Sequence, residues 1–212
     1  MNKIDSKDIK SEVMRVILNI SKSLARENQG ALFIIADRDK IEGNYHLHYP
    51  QIQFAGNLLS NGMDSVVEKL ATLDGAVILT PDGELVAYGS RILKSETLLG
   101  FGTKHAAARG ITLYDDSFTA VLVSEESSWI KVFQKGDAVL ETDSIAIEPP
   151  TLDKVSRFLI NHDMALLAGA GITVAAGIVS APAVLIVGGA YMVVKTAGQV
   201  ISSAIKKEKK RY

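Results

Sequence analysis

The stretch LATLDGAVILTPDGELVAYGSRI, residues 70–92, decides the fold, together with LLGFGTKHAAARGIT at 98–112 and FTAVLVSEES at 118–127. Apolar runs of strand length are punctuated there by three polar signatures: Asp74-Gly75-Ala76, Gly102-Thr103-Lys104-His105 and Ser124-Glu125-Glu126. Each closes an apolar run or opens a helix-like one. Turns of that kind, held on a rigid scaffold, are where the functional residues of α/β proteins collect. Within the first stretch, residues 76–79 read as a strand, Pro81-Asp82-Gly83 as a turn and residues 85–88 as the returning strand of a hairpin.

Working outward toward the N-terminus, residues 57–72 carry Leu58, Leu59, Met63, Val66, Val67 and Leu70 and are expected as an amphipathic helix running into Asp74. Residues 37–52 are polar and irregular. His46 and His48 stand two apart there, on one face of an extended chain, so a metal is open to them. An ordinary polar loop is the simpler reading. Residues 31–36, ALFIIA, form a continuous apolar run and read as a buried strand. Val13, Val16, Ile17, Ile20 and Leu24 recur at helical spacing over 7–27, with Gly30 as the cap.

Toward the C-terminus, the alanine-rich residues 103–109 open a helix whose first turn carries Thr103, Lys104 and His105. Residues 118–123 are a strand, and 129–133 its hairpin partner, closed by Lys135-Gly136-Asp137. The expected architecture over 1–145 is a single α/β domain, a mixed central sheet flanked by helices. Residues 146–163, with the Pro149-Pro150 pair, are expected as a linker and short helix.

The bulk composition excludes several classes. With 23 Lys and Arg against 24 Asp and Glu, the 212-residue chain lacks the basic face of a duplex binder, and no nucleic-acid partner is expected. The absence of cysteine rules out disulfides and thiolate metal sites and fits a cytosolic setting. Residues 1–13 contain no apolar run, so they are not expected to act as a secretory signal. The mean hydropathy of +0.17 is high for a wholly soluble chain, and its source is the last fifty or so residues.

Residues 164–194 contain no charged side chain, more than a core helix needs and enough for a membrane element. Gly169, Thr173 and Gly177, at a spacing of four, permit close helix contact, and Ser180-Ala181-Pro182 breaks the run. The expectation is a hydrophobic helical hairpin over 164–205, Gly/Ala-rich and set in the membrane, with the basic tail 206–212 on the same cytoplasmic side as the domain. Membrane lipid is the partner expected of this segment, the tail suiting anionic headgroups. A single tilted span and a helical pair packed inside an oligomer remain the alternatives.

Taken alone, the three signatures leave their chemistry open. A helix start with a hydroxyl, Lys104 and His105 suits a phosphate, and equally reads as a capped helix with a surface lysine. Asp74 suits a divalent cation, and equally a turn or cap. Of the adjacent Glu125 and Glu126 on an extended chain, one at most faces a site, with Ser124 and Glu126 sharing a face.

In combination and order, the DGA triplet, the GTKH helix start and the VSEE strand end resemble the diadenylate cyclase domain. Residues 30–35 resemble that family's first core strand, and the likeness spans about residues 10–140. The resemblance implies condensation of two ATP into cyclic di-AMP, with pyrophosphate released, by two domains meeting face to face as a homodimer. It implies that Asp74 binds a divalent metal, Mn²⁺ or Mg²⁺, and helps activate the 3′-hydroxyl, while Gly75 and Ala76 let the backbone approach the nucleotide. Gly102, Thr103, Lys104 and His105 are implied to hold the ATP phosphates. Ser124 and Glu126 complete the triphosphate and metal side, and Ile92 packs against adenine. The implied catalytic residues are Asp74, Lys104 and His105. The family's usual Arg-His-Arg reads Lys104-His105-Ala106 here, which replaces a bidentate fork by a point charge and then by nothing. Leu73 stands where the family often has His. The alternative implied by these departures is a catalytically degenerate nucleotide-binding sensor or effector that acts through its membrane segment.

Overall fold

The computed structural model describes residues 6–52, 56–96, 102–143, 149–161, 173–175, 183–187 and 190–194. Its frame is a mixed sheet with helices on both faces. In chain order the elements are α1 (Ser6–Arg26), β1 (Ala31–Ile35), α2 (Arg38–Ile41), β2 (Tyr45–Leu47), α3 (Met63–Ala71), β3 (Ala76–Leu79), β4 (Leu85–Ile92), α4 (Thr103–Tyr114), β5 (Thr119–Val123), β6 (Trp129–Gln134), β7 (Asp137–Asp143) and α5 (Pro149–Asn161). Three further strands follow, β8 (Thr173–Ala175), β9 (Ala183–Val187) and β10 (Ala190–Val194). The sheet order is β2-β4-β3-β1-β5-β6-β7-β10-β9-β8.

β1 is the central strand, parallel to β3 and antiparallel to β5. All five of its residues are buried, as expected for a strand covered on both faces. Ala31, Phe33 and Ile35 join one core with α1, α3 and α5; Leu32 and Ile34 join the other, under α4, with Ile111 and Phe118. That period-two division is what a pleated strand dictates.

Several boundaries differ from the sequence expectation, each for a local reason. The helix expected over 57–72 starts only at Met63. Asn57 Oδ1 accepts from Leu59 N at 2.9 Å, holding a turn, and Gly62 sits at φ +79°. An Asx turn of this kind competes with helix for the backbone. β4 runs on to Ile92 rather than stopping at residue 88, and the polar stretch 37–52 supplies β2 to pair with that extension, Tyr45 opposite Ile92. Within 146–163, α5 buries Leu152, Val155, Phe158 and Leu159 in the core of α1, so it packs onto the domain.

The helical hairpin expected over 164–205 is not what the described residues of that segment form. Residues 173–175, 183–187 and 190–194 are strands, β10 pairing antiparallel with β9 and with β7. The aliphatic runs AVLIV and AYMVV are rich in β-branched side chains, which favour strand, and Gly188-Gly189 between them is a hairpin signal. Among the described residues no helix is long and apolar enough to cross a membrane. The break expected at 180–182 and the basic tail 206–212 lie outside the described residues.

Candidate active site at one end of the sheet

The three signatures gather at one end of the sheet. Phe33 lies opposite Val77 in the parallel pair, and Ala31 opposite Val123 in the antiparallel pair. Continuing these registers sets Gly30 in a row between Asp74 on one side and Ser124 on the other. With strands about 4.8 Å apart, the backbones at Asp74 and Ser124 are about 10 Å apart. α4 begins at the same end, where Lys104 Nζ donates to the Gly30 carbonyl at 3.2 Å.

The Asp74 turn is shaped by two glycines. Gly75 has φ +106°, and a Cβ there would stand 2.6 Å from the backbone of both Gly89 and Ser90. No other residue fits. The β3–β4 ladder passes from Ala76↔Ser90 to Ile78↔Ala87, one residue extra on β4, and Gly89 takes φ +53° at this bulge. Ala76 is buried at the start of β3. The Asp74 side chain is 78% exposed, and its Oδ2 lies 3.9 Å from His48 Nδ1.

In α4, the Gly102 carbonyl accepts from the His105 and Ala106 N–H groups at 3.1 and 3.2 Å. Gly102 and Thr103 are exposed, and the first N–H groups of a helix have no intrahelical partner, so this start can receive an anion. Of the two basic residues in this first turn, Lys104 and His105, only the lysine is a cation. His105 is half-buried with its ring edge-on to Phe133, centroids 5.2 Å apart. Burial, and then the nearby Lys131 charge, hold its pKa below the ordinary histidine value, with Glu141 opposing. The imidazole is therefore neutral at pH 7. Ala106 is buried, its carbonyl taken by Glu96 N at 2.9 Å. Arg109, one turn on, pairs with Glu96 at 3.6 Å.

At the third signature the strand ends at Val123, and residues 125–127 turn. Ser124 Oγ accepts from Ser127 N at 3.3 Å, and Ser128 N donates to the Ser124 carbonyl at 3.0 Å. Strand alternation therefore does not apply to Ser124 and Glu126. Glu125, exposed like Glu126, is the one that lies against Gly30: its Cβ and Oε2 lie 3.1 and 3.3 Å from where a Cβ on Gly30 would sit, with Lys104 Nζ also at 3.3 Å. Glu126 is exposed on the turn. Ile92 is buried in the core beneath α4, among Tyr45, Ala76 and Ile41.

An exposed carboxylate with an imidazole beside it is a donor set suited to a hard or borderline divalent cation, so Asp74 fits a metal. Glu126 stands on a separate turn, across β1 from Asp74. Among the described residues, no group of three or more His, Asp or Glu side chains is placed to hold a metal by itself. The sequence analysis preferred Glu126 over Glu125 and read His48 with His46 rather than with Asp74. Both placements depend on turns whose geometry is tertiary.

The model of the family described as DisA bacterial checkpoint controller nucleotide-binding, DAC, matches residues 20–138, more than half of the chain, and the protein belongs to that family. It is 27% identical over 143 residues to a diadenylate cyclase of Methanocaldococcus jannaschii, covering 61% of this chain and 45% of that protein. It is 28% identical over 145 residues to a diadenylate cyclase of Haloferax volcanii, covering 62% and 52%. The chain thus spans about half the length of the curated relatives it matches. Among solved structures it is similar to a hypothetical membrane spanning protein from Bacillus cereus, at TM-score 0.47 and 21% identity over 57% of this chain and 59% of that one. It is also similar to a double mutant of DacA from Staphylococcus aureus, at TM-score 0.48 and 23% identity over 68% and 92%.

Proposed function

We propose that this protein is a diadenylate cyclase, joining two ATP into cyclic di-AMP. The observation that carries the reading is the convergence of the Asp74 turn, the start of α4 and the Ser124 turn on one sheet end, in a chain of this family. In each half-reaction a 3′-oxygen bonds to the α-phosphorus of the other nucleotide, the bond from that phosphorus to the pyrophosphate oxygen breaks, and the hydroxyl proton is lost. Chemistry of this kind asks for positioning and charge neutralisation.

Asp74 would hold a divalent cation, Mn²⁺ or Mg²⁺, which lowers the charge at phosphorus when bound. The exposed start of α4 and Lys104 receive phosphate oxygens, and the Ser124 turn bounds the other side. Gly75, by lacking a side chain, lets the turn lie flat against β4. The neutral His105 is a hydrogen-bond partner rather than a charge. Ile92 shapes the adenine side from within the core. Each nucleotide needs the other's 3′-hydroxyl, so two domains meet face to face.

A second reading, nucleotide binding without turnover, is favoured by two features: Lys104 already spends a hydrogen bond on Gly30, and the buried Ala106 offers no charge. Incubation of the full chain with ATP and Mn²⁺ or Mg²⁺, followed by mass analysis, separates the two. Cyclic di-AMP with pyrophosphate supports the enzyme; bound but unchanged ATP supports the sensor.

Membrane association of the full chain, with the domain on the cytoplasmic side, rests on the uncharged run 164–194 and the basic tail alone.

A further inference from the structure

The loop that follows β2 brings His48 to the Asp74 carboxylate, and several contacts fix it there. His48 N donates to the Gly89 carbonyl at 3.0 Å. The Gln51 amide clasps the backbone of Tyr88 from both sides, donating to its carbonyl at 3.1 Å and accepting from its N–H at 3.0 Å. The Tyr88 hydroxyl in turn donates to the Pro50 carbonyl at 2.8 Å and accepts from Ile52 N at 3.0 Å. A Cβ on Gly89 would lie 2.3 Å from the Tyr49 ring, while one on Gly75 would lie 2.6 Å from Gly89 itself. Gly75, Gly89 and Tyr49 are therefore stacked in direct contact. Asp74 and His48 are the residues just before the two ends of that stack, so their separation is set by it.

That separation is informative. At 3.9 Å, Nδ1 and Oδ2 are too far apart for a hydrogen bond. Two ligands each about 2.1 Å from one ion stand about 3.0 Å apart at a right angle and about 4.2 Å apart in line, a range that includes the observed spacing. The His48 side chain is 37% exposed and that of Asp74 78%, so an ion and its remaining water or phosphate ligands have access.

We infer that His48 is a second protein ligand of the divalent cation at Asp74, making this a mixed imidazole–carboxylate site. Sites that rely on substrate phosphates commonly supply just one or two protein ligands, so the pair suffices. An imidazole ligand biases the site toward Mn²⁺ over Mg²⁺, which prefers oxygen alone. The inference rests on the metal role proposed for Asp74, but not on turnover.

Pulsed electron paramagnetic resonance on the full chain with Mn²⁺, alone and with 3′-deoxy-ATP, which lacks the attacking hydroxyl, reads the ligand directly. The wild type is expected to show modulation from a directly bound imidazole nitrogen. His48→Gln should lose that modulation and weaken Mn²⁺ about tenfold or more, with Mg²⁺ affinity little changed. His46→Gln, two residues earlier on β2 and opposite Arg91, should match the wild type. Nitrogen modulation and Mn²⁺ affinity that persist in His48→Gln overturn the assignment, as does a wild type that binds Mn²⁺ without the modulation. If the wild type binds no Mn²⁺ at all, the assignment falls together with the metal role of Asp74. If the modulation behaves as expected but no cyclic di-AMP forms with any metal, the ligand assignment stands and the cyclase reading falls.

Discussion

His105 illustrates how one side chain changes meaning between sequence and structure. As the third residue of Thr103-Lys104-His105 it reads as part of a basic pair; packed edge-on against Phe133, it is held neutral by burial and then by Lys131. Its folded-state pKa is depressed, so the unfolded chain takes up a proton first as pH falls. The corresponding stability is full above the unfolded value of about 6.5 and is lost as pH drops toward the folded value. Urea midpoints measured at pH 7 and pH 5 should therefore fall more for the wild type than for His105→Gln, and equal falls would contradict the burial argument. Lys104 carries the positive charge that remains. Lys104→Met should weaken ATP binding about 10- to 150-fold through loss of a charge-assisted contact, measured by calorimetry with 3′-deoxy-ATP. Unchanged affinity would remove Lys104 from the phosphate site.

Among the elements, α4 is positioned as much by its glycine as by its apolar face. A Cβ on Gly110 would meet Ser95 Cα at 2.5 Å, the Lys94 carbonyl at 2.6 Å and Glu96 N at 2.7 Å, all backbone. Intrinsic propensity alone favours Ala over Gly in a helix by about 1 kcal/mol. Here the sign should reverse: Gly110→Ala is expected to destabilise by about 1–3 kcal/mol, because backbone cannot yield as a flexible side chain does. A thermal or urea midpoint equal to or above that of the wild type would contradict the close packing of residues 94–96 on α4. This contact was not legible beforehand, since an isolated glycine in an alanine-rich helix carries no sign of what crosses it. What was legible followed from strong periodicity. α1, β1, β3 and β5 lie where their apolar patterns placed them, and with them the sheet end that gathers the three signatures. The start of α3 was misplaced because Asn57 and Gly62 act through turn geometry. β2 was missed because a three-residue edge strand has too few positions to alternate. Ser124 and Glu126 were set on one face by a strand rule that stops applying at Val123.

For the whole molecule, the least legible part was the apolar run 164–194. Length and lack of charge fit a membrane element, while β-branched content and a Gly-Gly pair fit strands, and hydrophobicity does not separate the two. Those described residues of the run continue the domain sheet through the β7–β10 pairing. Fractionation of cells expressing the full chain tests the proposed membrane association: recovery with membranes that resists high salt is expected, and recovery in the soluble fraction would contradict it.

The central claim is that the sheet end bearing Asp74 is a nucleotidyltransfer site. Its most direct test compares the wild type with Asp74→Asn for cyclic di-AMP made from ATP with Mn²⁺ or Mg²⁺, alongside circular dichroism. Asp74 is largely exposed, so the variant should keep the fold while synthesis falls to background. Equal synthesis by the two proteins, or none by a folded wild type with either metal, would contradict the account.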